Sequence, residues 1–160
     1  MSTAFSHERL ANGKAEWLTP PALVKSLGEF DLDPCSPLAR PWDTAKRHLT
    51  ILDDGLAQPW SGRVWLNPPY GSKTKAWLRK LAEHGNGIAL VFACTDTKAF
   101  FEGVWGRADA ILFLRGRLSF HHVDGTRADE SGGPSCLIAY GTANVEALRQ
   151  AQLPGHLVIL

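Results

Sequence analysis

An α/β fold with a mostly parallel sheet is what this sequence predicts, and three observations predict it. Continuous apolar runs of buried-strand length recur, as at Ile88–Ala93 and Ala110–Leu114. Segments whose apolar residues have helical spacing, Trp77, Leu78 and Leu81 and then Phe100, Phe101 and Val104, alternate with those runs. The 160 residues, 44% hydrophobic and 21% charged, suffice for one packed domain and leave no room for a separate target-recognition domain.

The elements follow in order. Residues 1–15 are polar and broken by Asn12-Gly13, which predicts a loosely packed tail before a single domain over 16–160. Thr19-Pro20-Pro21 predicts a helix start, with Thr19 as N-cap and Pro20 at the first helical position. Leu23, Val24 and Leu27 give that helix an apolar face, and Gly28 stops it. Phe30 to Asp33 alternates apolar and acidic residues, a short strand ended by Pro34. Residues 35–59 carry turn signals and little periodicity.

A strand from Arg63 to Leu66 runs straight into Asn67-Pro68-Pro69-Tyr70-Gly71. Ser72 is the expected cap of a helix reaching His84, with Gly85 past its end. Thr95 or Asp96 is the expected cap of the helix after Ile88–Ala93. Between Ala110–Leu114 and the next apolar run, Cys136 to Tyr140, no helical pattern intervenes, so these two strands are expected to pair antiparallel. A helix over Asn144 to Gln150 and a strand over His156 to Leu160 close the chain.

Composition excludes several classes. No apolar run approaches the ~18 residues of a membrane span, and the N-terminus has no apolar leader, so a cytoplasmic protein is expected. Three scattered cysteines without a C-x-x-C predict reduced thiols and no structural metal. His121-His122 resembles a ligand pair, but neighbours on a strand point to opposite faces. With 17 basic against 16 acidic residues, any nucleic-acid surface must come from local clustering. Arg63, Lys73, Lys75, Arg79 and Lys80 form such a cluster with no acidic residue among them. Lys73 and Lys75 are expected to reach phosphates, and Arg115 and Arg117 to emerge at the same edge.

Residues 67–70 carry the chemistry. Ligands of open α/β sheets bind at the carboxyl ends of strands, where this loop stands. Two prolines fix two φ angles, so the Asn67 carboxamide and the Pro68 carbonyl are aimed in advance. Two oxygen acceptors can each take one hydrogen of a flat aromatic amine, such as the exocyclic amine of adenine. They favour a pyramidal nitrogen and stabilise the positive charge that develops on it. Tyr70 offers a stacking face, and Phe120 a second wall opposite it.

Asn67-Pro68-Pro69-Tyr70 after a strand is similar to the signature of amino-group methyltransferases. Trp17-Leu18-Thr19-Pro20, Phe30 to Ser36, Asp54-Gly55-Leu56 with Trp60, Arg63 to Gly71, Thr95-Asp96-Thr97 and Gly116 to Phe120 occur in that order. The ordered set, over about residues 16–141, resembles the phage-type DNA N-6-adenine methyltransferase family. The resemblance implies a Rossmann-like methyltransferase fold, S-adenosylmethionine as cofactor and DNA as partner, in a host cytoplasm if phage-encoded. It implies catalytic roles for Asn67, Pro68, Pro69 and Tyr70. It implies cofactor contacts for Trp17, Thr19, Pro20, Asp33, Pro34, Cys35 and Asp54, with Asp33 facing the cofactor's ammonium. Pro34-Cys35-Ser36-Pro37 stands where such folds carry a glycine-rich loop, and Asp43 is only a guess for a ribose-binding acid. An RNA or glutamine methyltransferase, a non-catalytic nucleic-acid-binding module, and either a monomer or a homodimer stay open at this point.

Overall fold

The computed structural model describes residues 17–160, so the expected tail over 1–15 lies outside the described residues. The elements are α1 (Pro21–Ser26), β1 (Leu32–Asp33), β2 (Arg47–His48), β3 (Val64–Leu66), α2 (Thr74–His84), β4 (Gly87–Phe92), α3 (Lys98–Gly103), β5 (Ala110–Leu114), β6 (Ser119–His121), β7 (Arg127–Glu130), β8 (Ser135–Tyr140), α4 (Thr142–Gln150) and β9 (Gly155–Ile159). Seven strands form one sheet in the order β2-β1-β3-β4-β8-β5-β9, and β6 and β7 form a separate hairpin.

The ladders from β2 through β4 are parallel, and β8 lies antiparallel between β4 and β5. Five strands therefore point one way. The expected antiparallel pairing of the late strands is present, with Ile111 opposite Ile138, and β9 adds a second antiparallel strand on β5.

Both faces of the sheet are covered. On β3, Val64 and Leu66 join the cluster under α2 and α3, while Trp65 turns to the cluster under α1 and α4. β4 and β8 split in the same way, with Val91 and Ile138 on the first face and Leu90 and Leu137 on the second. This period of two on strands buried from both sides explains why they look continuously apolar in sequence.

Three expected caps differ. Pro20, not Thr19, holds the N-cap position of α1, and Pro21 opens the helix. The Thr19 hydroxyl is taken by Asn67 instead. Lys73 rather than Ser72 precedes α2, with no side-chain cap. Thr97 rather than Thr95 or Asp96 caps α3, accepting from the Phe100 backbone N–H. Gly85 ends α2 at φ +75°, as expected of a left-handed C-cap.

Two elements had no visible pattern. β2 is two polar residues held by backbone bonds to the segment around β1, Lys46 N–H to Phe30 O and Leu49 N–H to Asp33 O. The β6–β7 hairpin lies between Ala110–Leu114 and Cys136–Tyr140, where the sequence shows no helical pattern. It is fastened to the segment before α1 by a reciprocal pair of backbone bonds between Leu18 and His121, each 2.8 Å.

Candidate active site

The carboxyl ends of β1, β3, β4 and β5 meet at one edge of the sheet, and the loops leaving them build the site. Alternation along β3 sets the first side chain. Leu66 faces α2, so Asn67, the next residue, falls on the side of the segment leading into α1. By the same alternation Asp33, after Leu32 on β1, falls on that side too. Asn67 and Asp33 thus share a small recess of about 10 Å³ with Trp17, Thr19, Cys35 and Thr44.

Asn67 is half-buried. Its Nδ2 donates to the Trp17 carbonyl oxygen at 3.4 Å and to the Thr19 hydroxyl at 3.2 Å. A carbonyl oxygen only accepts, so the contact with Trp17 favours the orientation in which the amide nitrogen faces it. Among the described residues no donor reaches Asn67 Oδ1 or the Pro68 carbonyl. The Pro69 carbonyl, by contrast, accepts from the Thr74 hydroxyl at 2.8 Å, which ties the loop to the first turn of α2.

The two prolines carry the chain across the edge to β4. There the Tyr70 ring stacks on Phe92, centroids 4.3 Å apart and planes at 13°. The stack borders a cavity of about 320 Å³ lined mainly by apolar side chains, among them Trp17, Leu78, Phe100 and Phe120. Tyr70 and Phe120 therefore line one cavity. The Tyr70 hydroxyl is buried without a partner among the described residues, and burial pushes its ionisation up. Trp17 borders both cavity and recess, and its ring packs against His122 at 5.2 Å.

Asp33 is 4% exposed. Its Oδ1 accepts from the Cys35 backbone N–H at 3.1 Å, and its Oδ2 accepts from the Thr44 hydroxyl. Among the described residues no lysine or arginine forms an ion pair with it. Burial raises its carboxyl to about 6, against the lowering effects of Thr44, the Cys35 N–H and Arg40. A buried carboxylate that lacks a counter-ion is a receptor for a cationic group.

The remaining expected residues scatter. Pro34 is buried under Gly55, where an added Cβ would stand 2.1 Å from the Pro34 carbonyl oxygen. Gly55→Ala is therefore expected to destabilise the fold by about 1–3 kcal/mol in urea unfolding, because backbone on both sides must move. Asp54, expected beside a cofactor, is exposed at φ +51°, and it lines neither recess nor cavity. Asp43 pairs with Arg40 on the surface.

A family model described as DNA N-6-adenine-methyltransferase (Dam) matches residues 7–148. The chain belongs to this family. No curated protein and no solved structure gives a match.

Within a DNA N-6-adenine-methyltransferase, the basic residues become the question, and most of the run from Arg63 to Lys80 is engaged internally. Arg63 donates to Asn144 Oδ1 at 2.6 Å and lies over the Phe30 ring at 4.2 Å. Lys75 pairs with Glu102 at 2.8 Å across α2 and α3, and Arg79 pairs with Glu83. Lys80 donates to the carbonyls of Leu56 and Gln58 and holds that loop. Lys73 is exposed before α2, and Arg115 and Arg117 are exposed between β5 and β6.

Two site residues had escaped the sequence. Phe92 looks like core, although its place as the last residue of a strand at the ligand edge is a usable signal. Thr44, in an irregular stretch, gives none. Among the described residues no group of His, Cys, Asp or Glu is placed to share a metal ion, and no helix is long and apolar enough to cross a membrane.

Proposed function

We propose that this DNA N-6-adenine-methyltransferase family member uses S-adenosylmethionine to methylate the 6-amino group of an adenine extruded from DNA, by direct transfer to the nitrogen. The observation that carries this reading is the Asn67 carboxamide. Its nitrogen is committed to Trp17 and Thr19, and among the described residues no donor reaches its oxygen or the neighbouring Pro68 carbonyl.

An aromatic amine is a poor nucleophile because its lone pair is delocalised into the ring. Asn67 Oδ1 and the Pro68 carbonyl each accept one amine hydrogen, which turns the lone pair out of the ring plane. The same oxygens stabilise the charge that grows on nitrogen. Asn67 acts as a hydrogen-bond acceptor and not as a base, and the proton that the methylated, positively charged nitrogen sheds passes to solvent. The Tyr70–Phe92 stack and Phe120 give the extruded base an apolar slot and offset the few kcal/mol of unstacking. Lys73, Arg115 and Arg117, three exposed cations at this edge, are candidates for phosphate contacts.

S-adenosylmethionine, when bound, supplies an electrophilic methyl group on a positively charged sulfur. The recess fits it in chemistry. Asp33 is a buried carboxylate without an ion-pair partner among the described residues, and a cationic ammonium satisfies it. Trp17 and Cys35 line the same recess. At about 10 Å³ the recess admits about one water, so binding must part its walls.

Two results test the reading. Labelled methyl from S-adenosylmethionine should appear in N6-methyladenine after incubation with unmethylated duplex DNA, and not in RNA or protein. Tyr70→Ala should weaken DNA binding about 10- to 100-fold, the equivalent of one base–aromatic stack, without changing cofactor affinity. Tyr70→Phe should bind like wild type, because the hydroxyl it removes has no partner among the described residues. Tight DNA binding by the alanine variant would remove Tyr70 from the base slot.

A further inference from the structure

Thr19, one of the residues expected to touch the cofactor, lines the recess beside Asp33, and its hydroxyl is engaged with Asn67. The residue is 2% exposed, and its Oγ1 accepts from Asn67 Nδ2 at 3.2 Å. The Trp17 carbonyl takes the same nitrogen at 3.4 Å. A carboxamide NH₂ has two hydrogens in one plane, so two acceptors restrain its orientation more than one does. If the amide flipped, Oδ1 would meet the Trp17 carbonyl with no hydrogen between the two oxygens.

The anchor is itself held. Leu18, between the two acceptors, is 3% exposed, and both its backbone groups pair with His121 on β6. A residue whose neighbours are fixed in this way transmits its geometry to what it binds.

We propose that Thr19 is a positioning residue for Asn67: its hydroxyl oxygen holds one amide hydrogen so that Oδ1 alone faces the adenine amine. This rests on the reading of Asn67 as an amine acceptor. Thr19 lines the recess proposed for the cofactor, but its hydroxyl is committed to Asn67 Nδ2. Its effect falls on the transfer rate and not on either affinity.

The test compares Thr19→Val, which keeps the shape and loses the acceptor, with Thr19→Ser, which keeps the acceptor. The valine variant should show a single-turnover rate about 10- to 100-fold lower, as expected of a slightly misplaced reacting group. Its dissociation constants for S-adenosylmethionine and DNA should stay within about twofold of wild type, and serine should recover the rate. A second readout needs no activity. The Asn67 side-chain amide resonances, assigned by their loss in Asn67→Asp, should shift in the valine variant and not in the serine one. If valine melts below the assay temperature, Thr19→Ala is compared with Thr19→Ser in its place.

A weakened cofactor affinity with an unchanged rate at saturating cofactor would overturn the proposal and restore the cofactor contact. Unchanged rates with unmoved amide resonances would overturn it as well. Asn67→Ala separates the two levels. If it is inactive while Thr19→Val is normal, only the positioning role falls. If it is fully active, the amine-acceptor reading falls with it.

Discussion

Asn67→Ala is expected to lower methyl transfer to DNA by about 100- to 1,000-fold, the usual loss when one electrostatic partner of a developing charge is removed. Affinity for S-adenosylmethionine and for DNA should change little, because the carboxamide oxygen is engaged only with the reacting amine. The fold should lose little too. The amide gives up two long hydrogen bonds, and the Trp17 carbonyl and Thr19 hydroxyl stand beside a recess that admits about one water. The check is single-turnover transfer of labelled methyl, paired with calorimetric titration of the cofactor. A wild-type rate would take Asn67 out of the chemistry.

Asp33→Asn is expected to move stability and function in opposite directions. Burial lifts the Asp33 carboxyl from 3.8 to about 6, so the folded chain holds this proton more tightly than the unfolded chain does. The stability it contributes is complete below about pH 4 and is lost as pH rises through 6. Above that, the buried charge costs about 3 kcal/mol. Asparagine removes the charge and keeps the contacts. Its oxygen accepts from the Cys35 N–H, and Thr44 changes from donor to acceptor for the new NH₂.

The variant should therefore melt higher than wild type at pH 8, with the advantage vanishing toward pH 4. Its affinity for S-adenosylmethionine should fall about 10- to 100-fold with the lost charge-assisted bond. Wild-type affinity should fall in the same sense as pH drops below 6, when Asp33 takes up its proton. Melting curves across that range, with titration at pH 8, read both effects. A variant that melts lower at pH 8 and binds the cofactor as tightly as wild type would contradict the assignment.

The parts of this site that follow local rules were legible in the sequence. Val64 to Leu66 is an apolar strand that two prolines must end, so the place and stiffness of Asn67–Tyr70 could be read directly. Asp33 before Pro34 was visible as a carboxylate at a strand end. Its partner Thr44 was not, because it comes from a stretch with no periodicity. The Asn67–Thr19 bond joins residues far apart in the chain, and nothing in either segment marks the other. A helix-start pattern at Thr19-Pro20 even points to a different role.

The basic run shows the converse. Its charges are plain, but the partners that absorb them, Glu102 for Lys75 and the carbonyls near Gly55 for Lys80, are supplied by folding. β2 and the β6–β7 hairpin are polar. The order of β2 comes from backbone bonds to the segment around Asp33, whereas the hairpin adds to its backbone bonds with Leu18 the burial of Phe120 in the core under α1.

The most direct test is a structure of the chain bound to a non-transferring analogue of S-adenosylmethionine and a duplex carrying a target adenine. The account predicts the adenine out of the duplex, in the slot bordered by Tyr70 and Phe120. Its 6-amino nitrogen should lie about 2.7–3.2 Å from both Asn67 Oδ1 and the Pro68 carbonyl, with Asn67 Nδ2 still on Trp17 and Thr19. An adenine whose amine points away from these oxygens, or a carboxamide turned to present its nitrogen, would contradict it.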